Sequence, residues 1–199
     1  MRSFAHSLAA ALLASLTLAG TASAMSYQEA LVAEEKLDII AREEMQPGEE
    51  ITLTDEEINS YLHYIYAEEM PDGVRGLRVR FRRDTANVSG FVDLSKVSQD
   101  DGGPSAFFMR LLSGERQIDA RVRYVSSNGE ARMDVESLLV DGREMKGRLL
   151  DWLVDAFVTP NFEGFALGEP VPLGHNIERV RLETGVATII GFDDEDVAQ

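Results

Sequence analysis

An alternation of apolar and charged residues limits the middle of the chain to β-structure. Residues 77–82 read Leu-Arg-Val-Arg-Phe-Arg, which places the apolar side chains on one face of a strand and the arginines on the other. Similar segments follow, separated by turns such as Ser127-Asn128-Gly129, at residues 88–94, 118–124, 131–135, 177–182 and 186–190. Short segments joined by tight turns predict antiparallel hairpins.

Two of the predicted hairpins resemble each other in sequence. Residues 71–93 align without a gap on residues 172–194, a shift of 101 positions. The identities include Pro71 with Pro172, Gly73 with Gly174, Arg78 with Arg179, Ala86 with Ala187 and Gly90-Phe91 with Gly191-Phe192. The alignment predicts an internal repeat of helix, Pro-x-Gly turn and hairpin. Chance similarity of two amphipathic hairpins is the alternative.

Three helices are predicted around these hairpins. The first is an acidic N-terminal helix within residues 25–48, ended by Gln46-Pro47-Gly48. The second begins at a capping box, in which Thr54 accepts from the Glu57 amide while the Glu57 side chain reaches back. The third is amphipathic and runs from Met145 to Val158. Strands and helices in this order indicate the α+β class.

The first 24 residues have the features of a cleavable secretory signal peptide. Arg2 supplies the positive charge, residues 8–18 form a short apolar run, and Ala22-Ser23-Ala24 offers small residues for cleavage after Ala24. An uncleaved anchor or a buried first helix is the alternative. No cysteine follows the predicted cleavage site, which excludes a lipid-anchored lipoprotein. We therefore expect a periplasmic or secreted protein with one domain at residues 25–199.

The net charge of the chain limits the classes of ligand that it is expected to bind. The formal net charge is −16, which disfavours nucleic acid and anionic lipid surfaces as ligands. The acidic residues concentrate in the N-terminal helix and in a tail at residues 193–199. The absence of cysteine leaves an apolar core as the source of stability.

No residues form a recognisable catalytic or metal-binding motif. His6 lies in the signal segment, His63 is predicted at the surface or core edge of a helix, and His175 in a solvated turn. Two isolated histidines without cysteine do not predict a zinc site, and the acidic tail lacks the spacing of a calcium loop. We expect no catalytic residues, no metal and no cofactor, with a hydrolase as the least favoured class.

The arginines at 78, 80, 82 and 83 have two interpretations. They can bind an anionic head group or an acidic partner, or they can pair with this chain's own carboxylates, which is the favoured interpretation. Two apolar runs at 107–112 and 162–167 likewise either fill the core or line a groove for an acyl chain or a partner peptide.

The segment Ile51-Thr52-Leu53-Thr54-Asp55-Glu56-Glu57-Ile58-Asn59-Ser60-Tyr61-Leu62, followed by Pro71-Asp72-Gly73-Val74, resembles small exported bacterial proteins. These are the tubular lipid-binding (TULIP-like) group, with its YceB-like and YpmS-like members. The resemblance implies a curved antiparallel sheet of about six strands that wraps around the helix at 145–158. It also implies an apolar ligand and no catalytic residues.

Two functions follow as hypotheses. The first is a carrier of lipid or another apolar molecule in the bacterial cell envelope, with a cavity lined by Phe107, Phe108, Leu153, Phe157 and Phe165. The second is an envelope scaffold or interaction module with a filled core, whose acidic helix meets a protein partner. A sheltered apolar cavity would favour the carrier, and an exposed apolar patch would favour the interaction module.

Overall fold

The computed structural model describes residues 25–70, 72–93, 114–147, 150–151 and 168–193. The predicted signal segment, the five predicted cavity-lining residues and the tail beyond residue 193 lie outside these ranges. The described elements are α1 (Tyr27–Ala41), β1 (Glu50–Thr54), α2 (Asp55–Tyr64), a 3-10 turn (Tyr66–Glu68), β2 (Val74–Arg82), β3 (Thr85–Asp93), β4 (Glu115–Ser127), β5 (Glu130–Val140), β6 (Arg143–Glu144), β7 (Pro170–Pro172), β8 (Ile177–Glu183) and β9 (Val186–Gly191). The α+β class is confirmed.

The strands form two antiparallel sheets. The larger has the order β2-β3-β4-β5-β6, with β7 paired to another part of β5, and the smaller has the order β1-β9-β8. The six-stranded antiparallel sheet is confirmed, but the last hairpin belongs to the second sheet. The reason is β1, which was not predicted as a strand and pairs with β9 from Glu50 to Thr54.

Two predicted helix boundaries are wrong. α1 ends at Ala41 rather than near Met45, and Glu43 takes a positive φ of 57° that interrupts the helix. The Met145 N–H donates to the Leu138 carbonyl oxygen at 2.7 Å, which continues the β5–β6 pairing. Helical structure in that region is described only at residues 150–151, and residues 152–158 lie outside the described ranges.

The two hairpins that align in sequence share one pairing register. Pairs of the first hairpin recur 101 positions later in the second: Val79–Val88 as Val180–Ile189, Arg80–Asn87 as Arg181–Thr188, and Phe81–Ala86 as Leu182–Ala187. The hairpins also bond reciprocally, since Gly185 N–H donates to the Phe81 carbonyl and Asp84 N–H donates to the Leu182 carbonyl, at 3.1 and 3.2 Å. The internal repeat itself stays a prediction.

Side chains bond the peptide groups of one residue on each of two edge strands, β2 and β8. The Asn59 side chain of α2 bonds the N–H and the carbonyl of Val79, at 2.8 and 2.7 Å. The Ser126 hydroxyl bonds the N–H and the carbonyl of Val180, at 2.7 and 2.9 Å. Val79 and Val180 are equivalent positions of the two hairpins, so each edge is protected from unwanted pairing at the same place.

Buried apolar residues form three clusters in the described structure. The helix-side cluster lies between α1, β1, β8 and β9, and its buried members are Ala33, Ile40, Met45, Ile51, Leu53, Ile177 and Ile189. The hairpin cluster joins the two hairpins through Phe81, Leu182 and Ala187. The far cluster holds Leu138 and Val140, with Leu150 packed against them. Burial of these side chains supplies the main stabilisation, since no disulfide is possible.

Candidate interaction surface

α1 is held in place by one partly buried ion pair. Lys36 Nζ donates to Glu57 Oε1 at 2.6 Å and to the Thr52 carbonyl oxygen at 2.8 Å. Glu57 is buried and also completes the predicted capping box with Thr54, which the structure confirms. This carboxylate therefore joins α1, β1 and the start of α2. Removing Lys36 would leave a buried carboxylate without its cation, which is strongly destabilising in general.

The two helices approach closely because small residues lie on their buried sides. Ala30 and Ala33 of α1 and Ser60 of α2 are completely buried. The Ser26 side chain caps α1 at the Glu29 amide, and the Ser26 N–H donates to the Ser60 hydroxyl at 3.2 Å. This packing leaves the opposite side of α1 in solvent.

An exposed aromatic patch lies at the solvent-facing edge of the α1–α2 contact, and we define it as Tyr27 and Leu31 of α1 with His63 and Tyr64 of α2. Tyr27 is 55% exposed, Leu31 38% and Tyr64 44%. The rings of Tyr27 and Tyr64 meet edge to face, with their centroids 6.1 Å apart. The ring centroids of His63 and Tyr64 are 4.6 Å apart. Tyr27 and Leu31 are four residues apart and share one face of α1. The members are therefore contiguous rather than scattered apolar residues.

Carboxylates continue this face of α1 beyond the patch. Glu34, Glu35 and Asp38 line a shallow depression together with Leu31, and the one basic residue there, Arg42, pairs with Asp38 at 2.7 Å. Burial raises the pKa of the neighbouring Tyr61, and the charges of Glu69 and Glu34 raise it further. A negative potential therefore covers this side of the molecule.

A small pocket adjoins the aromatic patch through His63. Its volume is about 110 Å³. Besides His63, Arg75 and Arg78, its lining includes the apolar residues Met25, Leu62, Ala67, Met70, Val74 and Leu77. An engineered cavity of about 150 Å³ accepts benzene, so this pocket has room for one aliphatic side chain. We call the patch, the three carboxylates of α1 and this pocket the α1–α2 surface.

The five predicted lining residues, Phe107, Phe108, Leu153, Phe157 and Phe165, lie outside the described structure. The apolar face of the larger sheet lies within the described residues. At its centre Val88, Val122 and Met133 are half-buried. Within the described ranges they belong to none of the three clusters. They form an apolar band between the hairpin cluster and the far cluster.

His63 and His175 take the positions expected from the sequence. His63 lies exposed in the last turn of α2. His175 is half-exposed in a turn with a φ of 49°, 3.9 Å from the Glu43 carboxylate. Among the described residues, no three His, Asp or Glu side chains are grouped to hold a metal ion. None of the helices in those ranges is long and apolar enough to cross a membrane.

The favoured interpretation of the arginines at 78, 80, 82 and 83 is not borne out. Within the described part of the chain none of them pairs with a carboxylate. Arg78 contacts the Met25 sulfur at 3.5 Å, and Arg82 donates to the Phe81 carbonyl at 2.8 Å. All four are exposed.

Sequence reasoning missed several residues that build this region. Asn59 and Ser60 of α2 are buried, although polar residues are mostly exposed in helices. Asp55 likewise accepts from the Phe81 N–H at 2.7 Å. The sequence did contain one indication of this polar contact face, because Asp55 and Asn59 are four residues apart and therefore share a face of the helix. The apolar residues Ile58 and Leu62 of the same helix are only half-buried.

Comparison with known proteins yields no relative of this chain, since no family model, no curated protein and no solved structure matches it.

Proposed function

We propose that this domain is a non-enzymatic interaction module, which docks a basic and partly apolar segment of another protein on the α1–α2 surface. One observation carries the proposal: Tyr27, Leu31 and Tyr64 are exposed together, beside a pocket and three carboxylates. Tyrosine is enriched at the energetic centre of protein interfaces. Single exposed apolar residues need no explanation, but contiguous ones mark interaction sites.

The charges on this surface define the partner. Glu34, Glu35 and Asp38 would attract lysine or arginine, and the adjoining pocket would take one aliphatic side chain of the same segment. A second copy of this chain is disfavoured, because two molecules with a net charge of −16 repel each other. The expected partner is therefore a different protein with a basic surface segment.

Affinity capture from an envelope extract of the producing cells tests this proposal. The triple variant Tyr27→Ser/Leu31→Ser/Tyr64→Ser removes the patch, and Val125→Ser is the control because Val125 is 56% exposed on β4. We expect one basic protein to co-purify with the wild type and the control, to dissociate at high salt, and to be lost from the triple variant. Equal capture by all three proteins, or self-association instead of capture, would refute the proposal.

A second candidate function is the binding of an apolar ligand such as a lipid. The half-buried band of Val88, Val122 and Met133 favours it, because apolar pockets shelter apolar ligands. The resemblance to the TULIP-like group also supports this candidate. The predicted lining residues Phe107, Phe108, Leu153, Phe157 and Phe165 would complete the site.

Native mass spectrometry of protein purified from its own cells tests the second candidate. Lipid extraction of the same sample and titration with a fluorescent fatty-acid probe provide independent readings. A bound apolar molecule that a Val122→Asn variant releases would support it. A ligand-free mass together with no probe binding would eliminate it.

Three further proposals concern the location of the protein, the origin of its two hairpins and the packing of its larger sheet. We propose that the chain acts outside the cytoplasm after removal of residues 1–24, and that the two matching hairpins descend from an internal repeat. We also propose that the apolar face of the sheet wraps around the helix that includes residues 150–151. Leu150 supports the last proposal because it packs on Leu138 and Val140 of that face.

A further inference from the structure

The polar face of the larger sheet carries an unusual cluster of arginines. Side chains alternate between the two faces of a strand, so Arg78, Arg80 and Arg82 of β2 share the face opposite the apolar band. All three are exposed. The chain has 35 acidic and 19 basic residues, so an arginine has many carboxylates with which it could pair. That these three lack a carboxylate partner in the described structure therefore needs an explanation.

The strand register extends this cluster over β3 and β4. The rows across the sheet are Arg82–Thr85–Arg123, Arg80–Asn87–Arg121 and Arg78–Ser89–Asp119. Hydroxyl and amide groups thus lie between the guanidinium groups. In the first row, the Thr85 hydroxyl is buried and has no hydrogen-bond partner in the described structure. The rows combine positive charge with neutral hydrogen-bonding groups, and the third row ends at the carboxylate of Asp119.

The carboxylates on this face contact other residues. Glu115 of β4 pairs with Arg75 near the start of β2. Glu136 of β5 pairs with both Arg121 and Arg123, at 2.9 and 2.8 Å. Asp119 accepts a hydrogen bond from the Gln117 side chain at 2.9 Å. The hydrogen bond and charge of Glu136 raise the pKa of Arg123, and the charges of Asp134 and Asp84 raise it further. Carboxylates therefore offset Arg75 and the β4 end of the rows, while Arg78, Arg80 and Arg82 have no carboxylate partner in the described structure.

The second hairpin offers an internal comparison. Arg179 and Arg181 occupy the positions equivalent to Arg78 and Arg80. Both have carboxylates near them, since Arg179 lies 3.5 Å from Glu178 and Arg181 lies 3.7 Å from Glu50. The same residue type at the same register is thus paired in one hairpin and unpaired in the other.

We infer that the rows centred on Arg78, Arg80 and Arg82 bind a ligand that carries two or more phosphate groups. Successive arginines on one face of a strand are about 6.6 Å apart, so two phosphates of one ligand can each meet a guanidinium. Arginine is suited to phosphate because its planar fork donates two parallel hydrogen bonds. This site lies on β2–β4 and shares Arg78 with the pocket of the α1–α2 surface, but it involves none of the aromatic patch and does not depend on the proposed docking function.

The negative net charge of the protein does not prevent such binding. The charges of α1 act over a Debye length of roughly 8 Å at physiological salt, whereas the β2 arginines would contact the ligand directly. A single phosphate would gain little binding free energy, because water competes for the exposed guanidinium groups. Several phosphates on one ligand would bind more tightly, because the entropic cost of association is incurred only once. The ligand is either a soluble polyphosphate compound or a lipid surface, on which neighbouring head groups present several phosphates together.

Calorimetric titration with inorganic tripolyphosphate tests the inference. Arg78→Gln/Arg80→Gln is the test variant, and Arg179→Gln/Arg181→Gln is the control, with the same loss of charge at equivalent positions. We expect the control to bind like the wild type and the test variant to bind at least about tenfold more weakly. Far-ultraviolet circular dichroism would show that both variants keep their strands.

Flotation with phosphatidylcholine vesicles, with and without phosphatidic acid, identifies the source of the phosphate. Flotation only with phosphatidic acid, lost in the test variant and kept in the control, would support a lipid ligand. Tripolyphosphate binding without flotation would support a soluble one. If neither probe binds the wild type, or if the two variants lose binding equally, the inference is refuted.

Discussion

The two hairpins β2–β3 and β8–β9 have the same register and different surroundings. In the second hairpin, β9 is the central strand of its sheet, and Ala187, Ile189 and Ile190 are buried. In the first, the equivalent Val88 is only half-buried, and the arginines of β2 face solvent. The central strand β9 is therefore buried along its length except at Val186, whereas most of the central strand β3 is only half-buried.

This difference arises from the neighbours of each hairpin rather than from its own sequence. β1 and α1 cover β9 and supply the rest of the helix-side cluster. The first hairpin has β4 beside it and α2 along its edge. A hairpin that is enclosed serves stability, and an open one retains surface for ligands. We therefore place the stability of the domain in the second hairpin and the binding surfaces around the first.

The largest expected effect is a difference between two equivalent core positions. Ile189→Ala should lower the free energy of unfolding by about 3 kcal/mol, because it leaves a cavity in the helix-side cluster. Val88→Ala should lower it by only about 1 kcal/mol, because Val88 is half-buried. Chemical denaturation measures both values. Equal losses would show that the first hairpin is enclosed as fully as the second.

The edge contacts should give the next largest effects. Asn59→Ala leaves the N–H and the carbonyl of Val79 without partners, and we expect a loss of about 2 kcal/mol. Ser126→Ala leaves the same two groups of Val180 without partners. Because Ser126 is less buried than Asn59, we expect the free energy of unfolding to fall by only about 1 kcal/mol. Thermal unfolding of both variants beside Ser127→Ala, an exposed neighbour, checks the order. A neutral Asn59→Ala would mean that water replaces the amide.

A smaller effect concerns the ionisation of two tyrosines. Burial raises the pKa of Tyr124, with a partial offset from its hydrogen bond to Ser126, and burial with neighbouring carboxylates raises the pKa of Tyr61. The stability from both groups is therefore fully present below the unfolded value of about 10. It is lost as the pH rises through the higher folded values.

Ultraviolet absorbance titration, with Tyr61→Phe and Tyr124→Phe to assign the signals, tests this prediction. High salt should lower the pKa of Tyr61, because part of its shift comes from charges. The pKa of Tyr124 should stay unchanged, because its causes are burial and a hydrogen bond. If salt shifted both tyrosines alike, the negative potential around α1 would lose its support.

Local patterns predicted the hairpins and the capping box, because they depend on neighbouring residues alone. The alternation at 77–82 and the turn at 127–129 are examples. Strand β1 was missed because its five residues lie between two helix signals, and only pairing with β9 makes them a strand. The division into two sheets depends on that long-range pairing and could not follow from local patterns.

The candidate surfaces were predictable only in part. The sequence identified the acidic helix as a possible partner site and the arginines as a possible anion site. It could not show that Tyr27 meets Tyr64, since 37 positions separate them and contact depends on the α1–α2 packing. The expectation that Arg78, Arg80, Arg82 and Arg83 pair internally also failed, because nearby carboxylates pair with other arginines of the sheet, Glu115 with Arg75 and Glu136 with Arg121 and Arg123.

Site-specific photo-crosslinking in the producing cells tests the docking function most directly. A photoreactive phenylalanine analogue replaces Tyr64 in one variant and Val125 in another, both exposed positions on different elements. The α1–α2 surface predicts a discrete adduct with one basic protein from position 64 and none from position 125. No adduct at position 64, or the same adducts at both positions, would contradict a dedicated docking surface on α1 and α2.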